Sequence, residues 1–501
     1  MNFTEYKRIA NALKMQPSNK YSTWDNIMQL CLNMYEDNQD YLKYCLKLSK
    51  AVKKSAQRLL IQNQDVRFED LYWQALKFEA PHLFDSYLLY LERKRLEQDR
   101  FYSPKRKQLN KHGLIQSLQD MEDDKLDILS ISMPPGTQKT TLEKFFCSWI
   151  IGRHPDDFSL FFSHSGDITR MFYDGVMDIT TNSDEYCWQE IFPDVKFHST
   201  NAKRETINFN KYKPFSNIQC TSVGSKNAGK VRANRYLYCD DLIGGIEEAL
   251  NKNFLDKLWR IYGTDAKQRK MDGCKEIHIA TRWSVHDVIG RLIDIYEGND
   301  KARFIAIPDI NPVTGESNFD YKYNGFSVKF FHDQELTMDE ISYKCLYKNE
   351  PIEREGLLYT DEELRRFITL PLGEPDAILG ICDTKNTGTD SMFLPCLLKY
   401  GNDYYLTACI CDDNSNYGIQ YERTSDLIVN TRMQQCQFES NNGGDRVALD
   451  VSKLVEEKGG VCNITTKYTE SNKETKIIVN ADWVKKHVLF KARTEYQPKS
   501  D

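Results

Sequence analysis

Leu126 to Thr140, LDILSISMPPGTQKT, decides how this chain is read: a mostly apolar run ends in a short loop carrying glycine, lysine and threonine. The run has the composition of a buried strand, and Met133 to Thr140 stands where nucleotide hydrolases carry G-x-x-x-x-G-K-S/T. Met133 and Gln138 occupy the two glycine positions of that pattern. Its chemically demanding end is kept. Lys139 can reach the β- and γ-phosphates, Thr140 can place its hydroxyl on Mg²⁺, and Gly136 lets backbone approach a phosphate, with Thr137 and Gln138 completing the nucleotide-contacting stretch. Alone, such a loop is equally an ordinary strand-to-helix turn.

Working outward, FSLFFSHS at Phe158–Ser165, RYLYCDD at Arg235–Asp241 and KEIHIATRW at Lys275–Trp283 repeat the theme of an apolar run that ends in polar or small residues. Helical segments separate them. The pattern predicts an α/β domain with a mainly parallel sheet, whose strand ends together assemble a site. Residues 1–99 read as a helical N-terminal region, with Ile27, Leu30, Cys31 and Met34, and again Phe84, Tyr87, Leu88 and Leu91, at helical spacing. The charged run Leu91–Arg100 reads as a solvated helix face. Residues 100–345 form the first α/β domain and 346–375 a linker containing the helix-like TDEELRRF. Residues 376–501 form a second α/β domain, in which DAILGICDTK and DYYLTACICDD are strands separated by a turn-rich stretch.

A chain of 501 residues is long enough for roughly two or three domains. The net charge of −6 argues against a wholesale basic nucleic-acid binder and leaves local basic faces open. Fourteen cysteines without recurrent spacing point to a reducing cytosol. Cys409 and Cys411 fall on one face of a strand and read as small buried hydrophobes rather than a zinc or redox pair. No stretch is apolar long enough to span a bilayer, and no export signal opens the chain.

Two carboxylates follow the apolar run Tyr236–Cys239. Asp240 suits the Mg²⁺ side of a phosphoryl-transfer site, and Asp241 suits orienting or deprotonating the attacking water, although a strand-end pair serves equally as a cap or turn. Thr281 can sense a γ-phosphate, and Arg282 and Trp283 can carry that state to a neighbouring surface; the plainer alternative is a strand end with a polar loop. In the second α/β domain, Asp383 and Glu439 lie on or at the ends of strands. Brought together they can hold two divalent cations across a phosphate, or remain isolated turn residues.

The ordered set MPPGTQKT, YLYCDDLIGGIEEA and TRWSVHDVIGRL resembles the large terminase subunit of tailed bacteriophages, the motor that packages DNA into preformed capsids. The resemblance implies that the three segments are the phosphate loop, the Walker B strand and the coupling motif. It implies an adenine-side role for Tyr102 and Arg106 in FYSPKRKQL, and a role for Arg232 on a neighbouring subunit's nucleotide, with Lys230 and Arg235 as rivals. It further implies an RNase H-like nuclease whose metal ligands include Asp383 and Glu439. The family's third carboxylate, on a helix near the C-terminus, has no counterpart here, so the domain is expected to be truncated, with Asp482 a surface residue on a strand-like segment and Asp501 at the cut. The implied cofactors are ATP with Mg²⁺, and Mg²⁺ or Mn²⁺ for the nuclease. The implied partners are double-stranded DNA, the portal protein, the small terminase subunit and further copies in a ring docked on the procapsid. The implied location is the cytoplasm of the infected bacterial host, away from any membrane and absent from the mature virion. A helicase or recombination motor would share the loop and acidic pair without the TRW segment or the Asp383 and Glu439 strands. An assembly protein with a decayed ATP site would account for Gln138. A side chain there restricts backbone that wraps phosphate, so the loop is expected to be closed or strained without ligand.

Overall fold

The computed structural model describes residues 1–224, 231–351, 359, 363–384, 391–414, 416–468, 476–477 and 480–492. The chain divides into two compact units, Met1–Glu353 and Arg354–Asp501.

The larger unit opens with helices α1 (Phe3–Lys14), α2 (Tyr21–Asp37), α3 (Leu42–Asn63), α4 (Arg67–Glu79) and α5 (Phe84–Leu91). Asn2 and Glu5 form a reciprocal capping box at the start of α1. Ile27, Cys31 and Met34 of α2 meet Cys45, Leu48, Val52, Ala56 and Leu59 of α3 in one core, as their spacing predicts. The run after Leu91 is no solvated helix face. The helix stops there, and Glu92, 1% exposed, accepts the backbone N–H groups of Phe101 and Tyr102 at 2.8 and 2.9 Å. A carboxylate that satisfies two backbone donors outweighs the charge pattern.

Helices α6 (Arg106–Lys111) and α7 (Leu114–Glu122) lead to β1 (Ile128–Ser132), followed by α8 (Lys139–Arg153), β2 (Ser159–Ser163), α9 (Gly166–Thr181) and α10 (Trp188–Ile191). Then come β3 (Phe197–Asn201), β4 (Thr206–Phe209), β5 (Ile218–Ser222), β6 (Tyr236–Asp240), α11 (Ile246–Leu250), α12 (Lys252–Ile261) and β7 (Lys275–Ala280). The unit closes with α13 (Val288–Ile295), β8 (Ala302–Ala306), α14 (Val328–Thr337) and α15 (Glu340–Tyr343). The strands form one sheet in the order β3-β4-β5-β2-β6-β7-β1-β8, antiparallel only at the β3-β4-β5 edge. Alternate residues of β6 enter opposite cores. Tyr236 and Tyr238 join the cluster under α5, α8 and α9, and Leu237 and Cys239 join the cluster under α12 and α13. A sheet covered on both faces explains why the strands read as unbroken apolar runs.

The smaller unit contains β9 (Arg365–Phe367), β10 (Ala377–Cys382), β11 (Met392–Tyr400), β12 (Asp403–Asp412), α16 (Tyr417–Asn430), β13 (Gln435–Glu439), α17 (Gly444–Glu457) and β14 (Asn463–Lys467). Helix α18 (Ala481–His487) and β15 (Val488–Lys491) follow. Its sheet runs β14-β13-β10-β11-β12-β15-β9. Four expectations fail here. The stretch expected to be turn-rich holds β11, whose Pro395 masked the signal; the β10–β11 ladder runs from Ala377 to Gly380 and resumes only at the Asp383–Phe393 bridge, so the missing N–H falls in a gap. TDEELRRF ends in β9 rather than a helix, because Arg365–Phe367 pairs with β15 and Arg365 bridges Asp403 at 2.6 Å. Asp482 lies on α18 rather than on a strand-like segment, paired with Lys486 at 2.6 Å. Cys409 and Cys411 do share a face, but that face is exposed. Helices α16 and α17 cover only the opposite side, where Cys382, Leu394, Cys396 and Phe438 are buried. Ile381 and Phe393 are exposed on the open side, at 59% and 37%. Asp501 and Lys230 lie outside the described residues.

Candidate functional site

In the larger unit, β7 lies between β1 and β6, and β2 flanks β6. The register sets Ser132 beside Ala280, Ile279 beside Asp240, and Asp240 beside Ser163, so four carboxyl-terminal strand ends lie level. The phosphate-type loop, the acidic pair and the TRW segment therefore open on one edge of the sheet, where ligands of such sheets bind.

Lys139 and Thr140 open α8. Thr140 Oγ1 donates to Asp240 Oδ2 at 2.7 Å, which joins the loop to β6 directly. The other oxygen, Oδ1, is buried without a hydrogen-bond partner among the described residues. A hydroxyl and a carboxylate with one unmet oxygen form a hard-oxygen donor set that fits Mg²⁺. Burial, and next the charge of Asp241, push Asp240 up to about 7. Lys139 Nζ donates to the Met133 carbonyl at 2.7 Å, and Thr137 Oγ1 to the Pro134 carbonyl at 2.7 Å. Burial pulls the Lys139 ammonium below its ordinary value, against the opposing pull of Asp241 and Asp240. The loop thus satisfies its own polar groups. Gln138 has φ +67°, the left-handed region where a glycine is at home, and Gly136 has φ +76°. The bare Gly136 also admits Phe326, whose ring would lie 3.1 Å from a Cβ there.

Asp241 is a junction. Its φ of +39° is unusual for a residue with a side chain, and three strand ends hold it there. Its N–H donates to Ile279 O at 2.8 Å, its Oδ1 accepts from Thr281 N at 3.1 Å, and its carbonyl accepts from the His164 backbone and ring. Thr281 therefore meets Asp241 through its backbone. Arg282 is buried with its Nε 3.1 Å from Asp287, whose other oxygen caps α13 through Gly290 N at 2.6 Å. Gly290 is required, since a Cβ would lie 1.9 Å from the Val285 carbonyl oxygen. The Trp283 carbonyl accepts the Cys345 thiol.

The remaining residues have partners of their own. The Tyr102 ring is fully buried and its hydroxyl donates to Asp85, which Arg106 grips through Nε and Nη2 at 2.8 Å each. Arg232 is exposed before the amino end of β6, with Nη1 3.4 Å from Gln268 O. Its rival Arg235 is committed to Glu122 at 2.6 Å, in a cluster with Arg153 and His154. Burial alone would raise Glu122, but hydrogen bonds from His154 and Arg235 and the nearby guanidinium charges hold it at about 2.

Two neighbours of the site escaped sequence reasoning. His164 carries no motif beyond its place at a strand end. Glu143, one helical turn after Lys139, is buried with both carboxylate oxygens unpartnered among the described residues. Burial, then Asp240 and Asp241, push its carboxyl well above the ordinary range. Its three- and four-residue spacing from Thr140 and Lys139 was the available signal.

In the smaller unit, β10 and β13 pair in parallel with Cys382 opposite Phe438. Asp383 and Glu439, each one residue further, are therefore level on neighbouring strands and on the open side of the sheet. Glu439 Oε1 accepts from Lys476 at 3.2 Å, and Thr384 Oγ1 donates to the Glu439 carbonyl at 3.2 Å. Gly444 lets the following turn fold back, since a Cβ would lie 1.8 Å from that carbonyl. The pair offers oxygen ligands of the kind divalent cations take. Among the described residues no cluster of three His, Cys, Asp or Glu side chains could hold a metal.

The fold and site define an α/β chain with a parallel-centred sheet, a lysine–threonine loop facing an acidic pair, and a second sheet bearing two adjacent carboxylates. Its likeness is to large terminases. Solved structures of similar shape include the large terminase of a thermophilic bacteriophage, at 11% identity over 77% of this chain and 87% of that one, TM-score 0.41. The bacteriophage HK97 large terminase matches at 10% identity over 75% and 84%, TM-score 0.33. The nuclease domain of the bacteriophage SPP1 large terminase with bound Mn matches at 13% over 23% and 61%, TM-score 0.18. No protein-family model matches the chain, and no curated protein does. Among the described residues no helix is long and apolar enough to cross a membrane.

Proposed function

We propose that this chain is the large subunit of a phage terminase, in which residues 100–345 hydrolyse ATP to move double-stranded DNA into a procapsid. Residues 376–501, after the 346–375 linker, would supply Asp383 and Glu439 to an RNase H-like, metal-dependent nuclease that cuts concatemeric DNA. The observation that carries the reading is the Thr140–Asp240 hydrogen bond at the mouth of a loop that also presents Lys139. These groups come from separate strand ends and have no reason to converge in a merely structural turn.

In this reading the first backbone N–H groups of α8 and the Lys139 ammonium receive the phosphates, displacing the Met133 carbonyl that Lys139 now holds. Thr140 and Asp240 would hold Mg²⁺, which supplies charge neutralisation at the β- and γ-oxygens when bound. Asp241 orients the attacking water and accepts its proton. Its link to Thr281 N ties that event to the Arg282–Asp287 pair and to α13. Tyr102 and Arg106 would support the base side only through Asp85, and Arg232 would serve a neighbouring copy in a ring docked on the portal protein, with the small terminase subunit as a further partner. Asp383 and Glu439 would hold Mg²⁺ or Mn²⁺ at the scissile phosphate. The proposed setting is the cytoplasm of an infected bacterium.

Packaging tests the reading. Protein incubated with procapsids, Mg²⁺-ATP and linear duplex DNA is expected to bring DNA into a nuclease-protected state, and Lys139→Ala to abolish this. Equal protection by Lys139→Ala would remove the motor. Asp383→Ala is expected to leave ATP hydrolysis at the parental rate, and to stop Mn²⁺-dependent cutting of plasmid by a protein that also carries the third carboxylate.

A further inference from the structure

The helices ahead of the phosphate loop carry a feature that the motor chemistry does not use. Helix α3 holds six basic residues and no acidic one, in a chain whose net charge is −6. Its apolar side is buried in the N-terminal core. On the other side Lys43, Lys47, Lys50, Lys54 and Arg58 are exposed, and their three- and four-residue spacing sets them in one line. At 1.5 Å per residue the line is about 22 Å long. The sixth, Lys53, turns inward to Glu79. Among the described residues no carboxylate pairs with the five. Helix α1 widens the patch, since the Lys7 and Lys14 ammonium groups lie 5.8 and 5.9 Å from the ring of Tyr44, which adjoins Lys43. Three acids shortly precede α3 in sequence: Asp37 is engaged by the N-terminal amine and Tyr6, and Glu36 and Asp40 are exposed.

This arrangement works against the helix that bears it. Like charges at these spacings repel, and Lys43 in the first turn opposes the helix dipole. We propose that the stripe on α3, with Lys7 and Lys14 beside it, is a contact surface for the phosphate backbone of duplex DNA. An uninterrupted row of point charges matches a continuous row of phosphates. An acidic protein partner is disfavoured because protein interfaces are depleted in lysine, and four of the five residues on the stripe are lysines. The choice of DNA among duplex polyanions rests on the motor reading; the charge argument does not.

The test uses the full chain without nucleotide and a labelled duplex of roughly 30 base pairs, three helical turns. The triple variant Lys47→Gln/Lys50→Gln/Lys54→Gln is expected to bind about tenfold or more weakly near 0.1 M salt, and to flatten the slope of log affinity against log salt by about 3. Helicity by circular dichroism should be unchanged, because glutamine matches lysine in helix propensity. The corresponding triple arginine variant should bind as the parent does, and glutamine at the exposed Lys252, Lys257 and Lys329 should have no effect. A glutamine variant with parental slope and affinity overturns the proposal. So does a variant that loses polyglutamate binding but keeps DNA binding, which would assign the stripe to an acidic protein. Lys139→Ala protein should retain the stripe's DNA binding, so absence of ATP hydrolysis would break the motor reading and leave this result standing.

Discussion

The two acidic pairs of this chain are built differently. Asp240 ends β6 and Asp241 follows it, and hydrogen bonds from Thr140 at the start of α8, from His164 after β2 and from Thr281 after β7 hold them. Asp383 and Glu439 come from two strands of a sheet whose side is open at that point. The first pair is pre-set by its neighbours, so its geometry survives without a ligand. In the second, strand register brings the carboxylates level, with Lys476 on the Glu439 side chain. The first should therefore be sensitive to single changes around it, and the second to what covers it.

The largest expected effect lies in the first pair. Asp240→Asn keeps the shape but gives up the charge, and should lower Mg²⁺-dependent ATP hydrolysis by roughly a hundredfold or more, while Asp383→Asn leaves hydrolysis at the parental rate. Steady-state assays on both variants check this. Equal losses would erase the distinction between the pairs.

Next comes the charge cluster beneath the same sheet. Glu122, ordinarily near 4.5, is held at about 2, a depressed carboxyl whose stabilisation is present above the ordinary value and lost as pH falls through the lowered one. That amounts to about 3 kcal/mol. Denaturant titrations between pH 5 and about 2 should show the larger unit losing this increment, and Glu122→Gln should flatten that part of the curve. An unchanged slope would contradict the assigned pairing.

Gln138 offers a smaller lever on the pre-set side. Glycine at φ +67° relieves left-handed strain of about 1–2 kcal/mol in the ligand-free loop, strain that binding would otherwise release, so Gln138→Gly should weaken nucleotide binding by about tenfold in a calorimetric titration. An unchanged Kd would mean that the strain persists with nucleotide bound.

The smallest effect probes the open face. Cys409 and Cys411 should react with a thiol reagent in the native protein ahead of the buried cysteines, and their replacement by serine should change stability by less than about 0.5 kcal/mol. Resistance of both in a mass-spectrometric footprint would show that something covers that face in solution.

Much of the first site was legible because a doubly covered parallel sheet writes its strands as apolar runs, and the polar residues that end them are where ligands bind. The N-terminal helices were legible from the spacing of Ile27, Cys31 and Met34. What stayed hidden depended on contacts distant in sequence. β11 carries Pro395 and is held to β10 by pairing on either side of a gap, and Arg365–Phe367 becomes a strand only because β15 lies beside it. Glu92 reads as a surface charge until two backbone donors are seen to meet it. The exposure of Cys409 and Cys411 was illegible because alternation shows which residues share a face, and not which face is covered. His164 and Glu143 gave no motif, since their significance lies in Asp241 and Asp240, which come together with them only in the folded sheet.

The central claim is that Lys139, Thr140, Asp240 and Asp241 form one nucleotide-hydrolysing site. Its most direct test is the rate of phosphate release from Mg²⁺-ATP, with and without duplex DNA, by the parental protein and by Lys139→Ala. Measurable release is expected from the parent, and a loss of roughly a hundredfold or more from the variant, with the fold unchanged by circular dichroism. Release at equal rates by both proteins would contradict the claim.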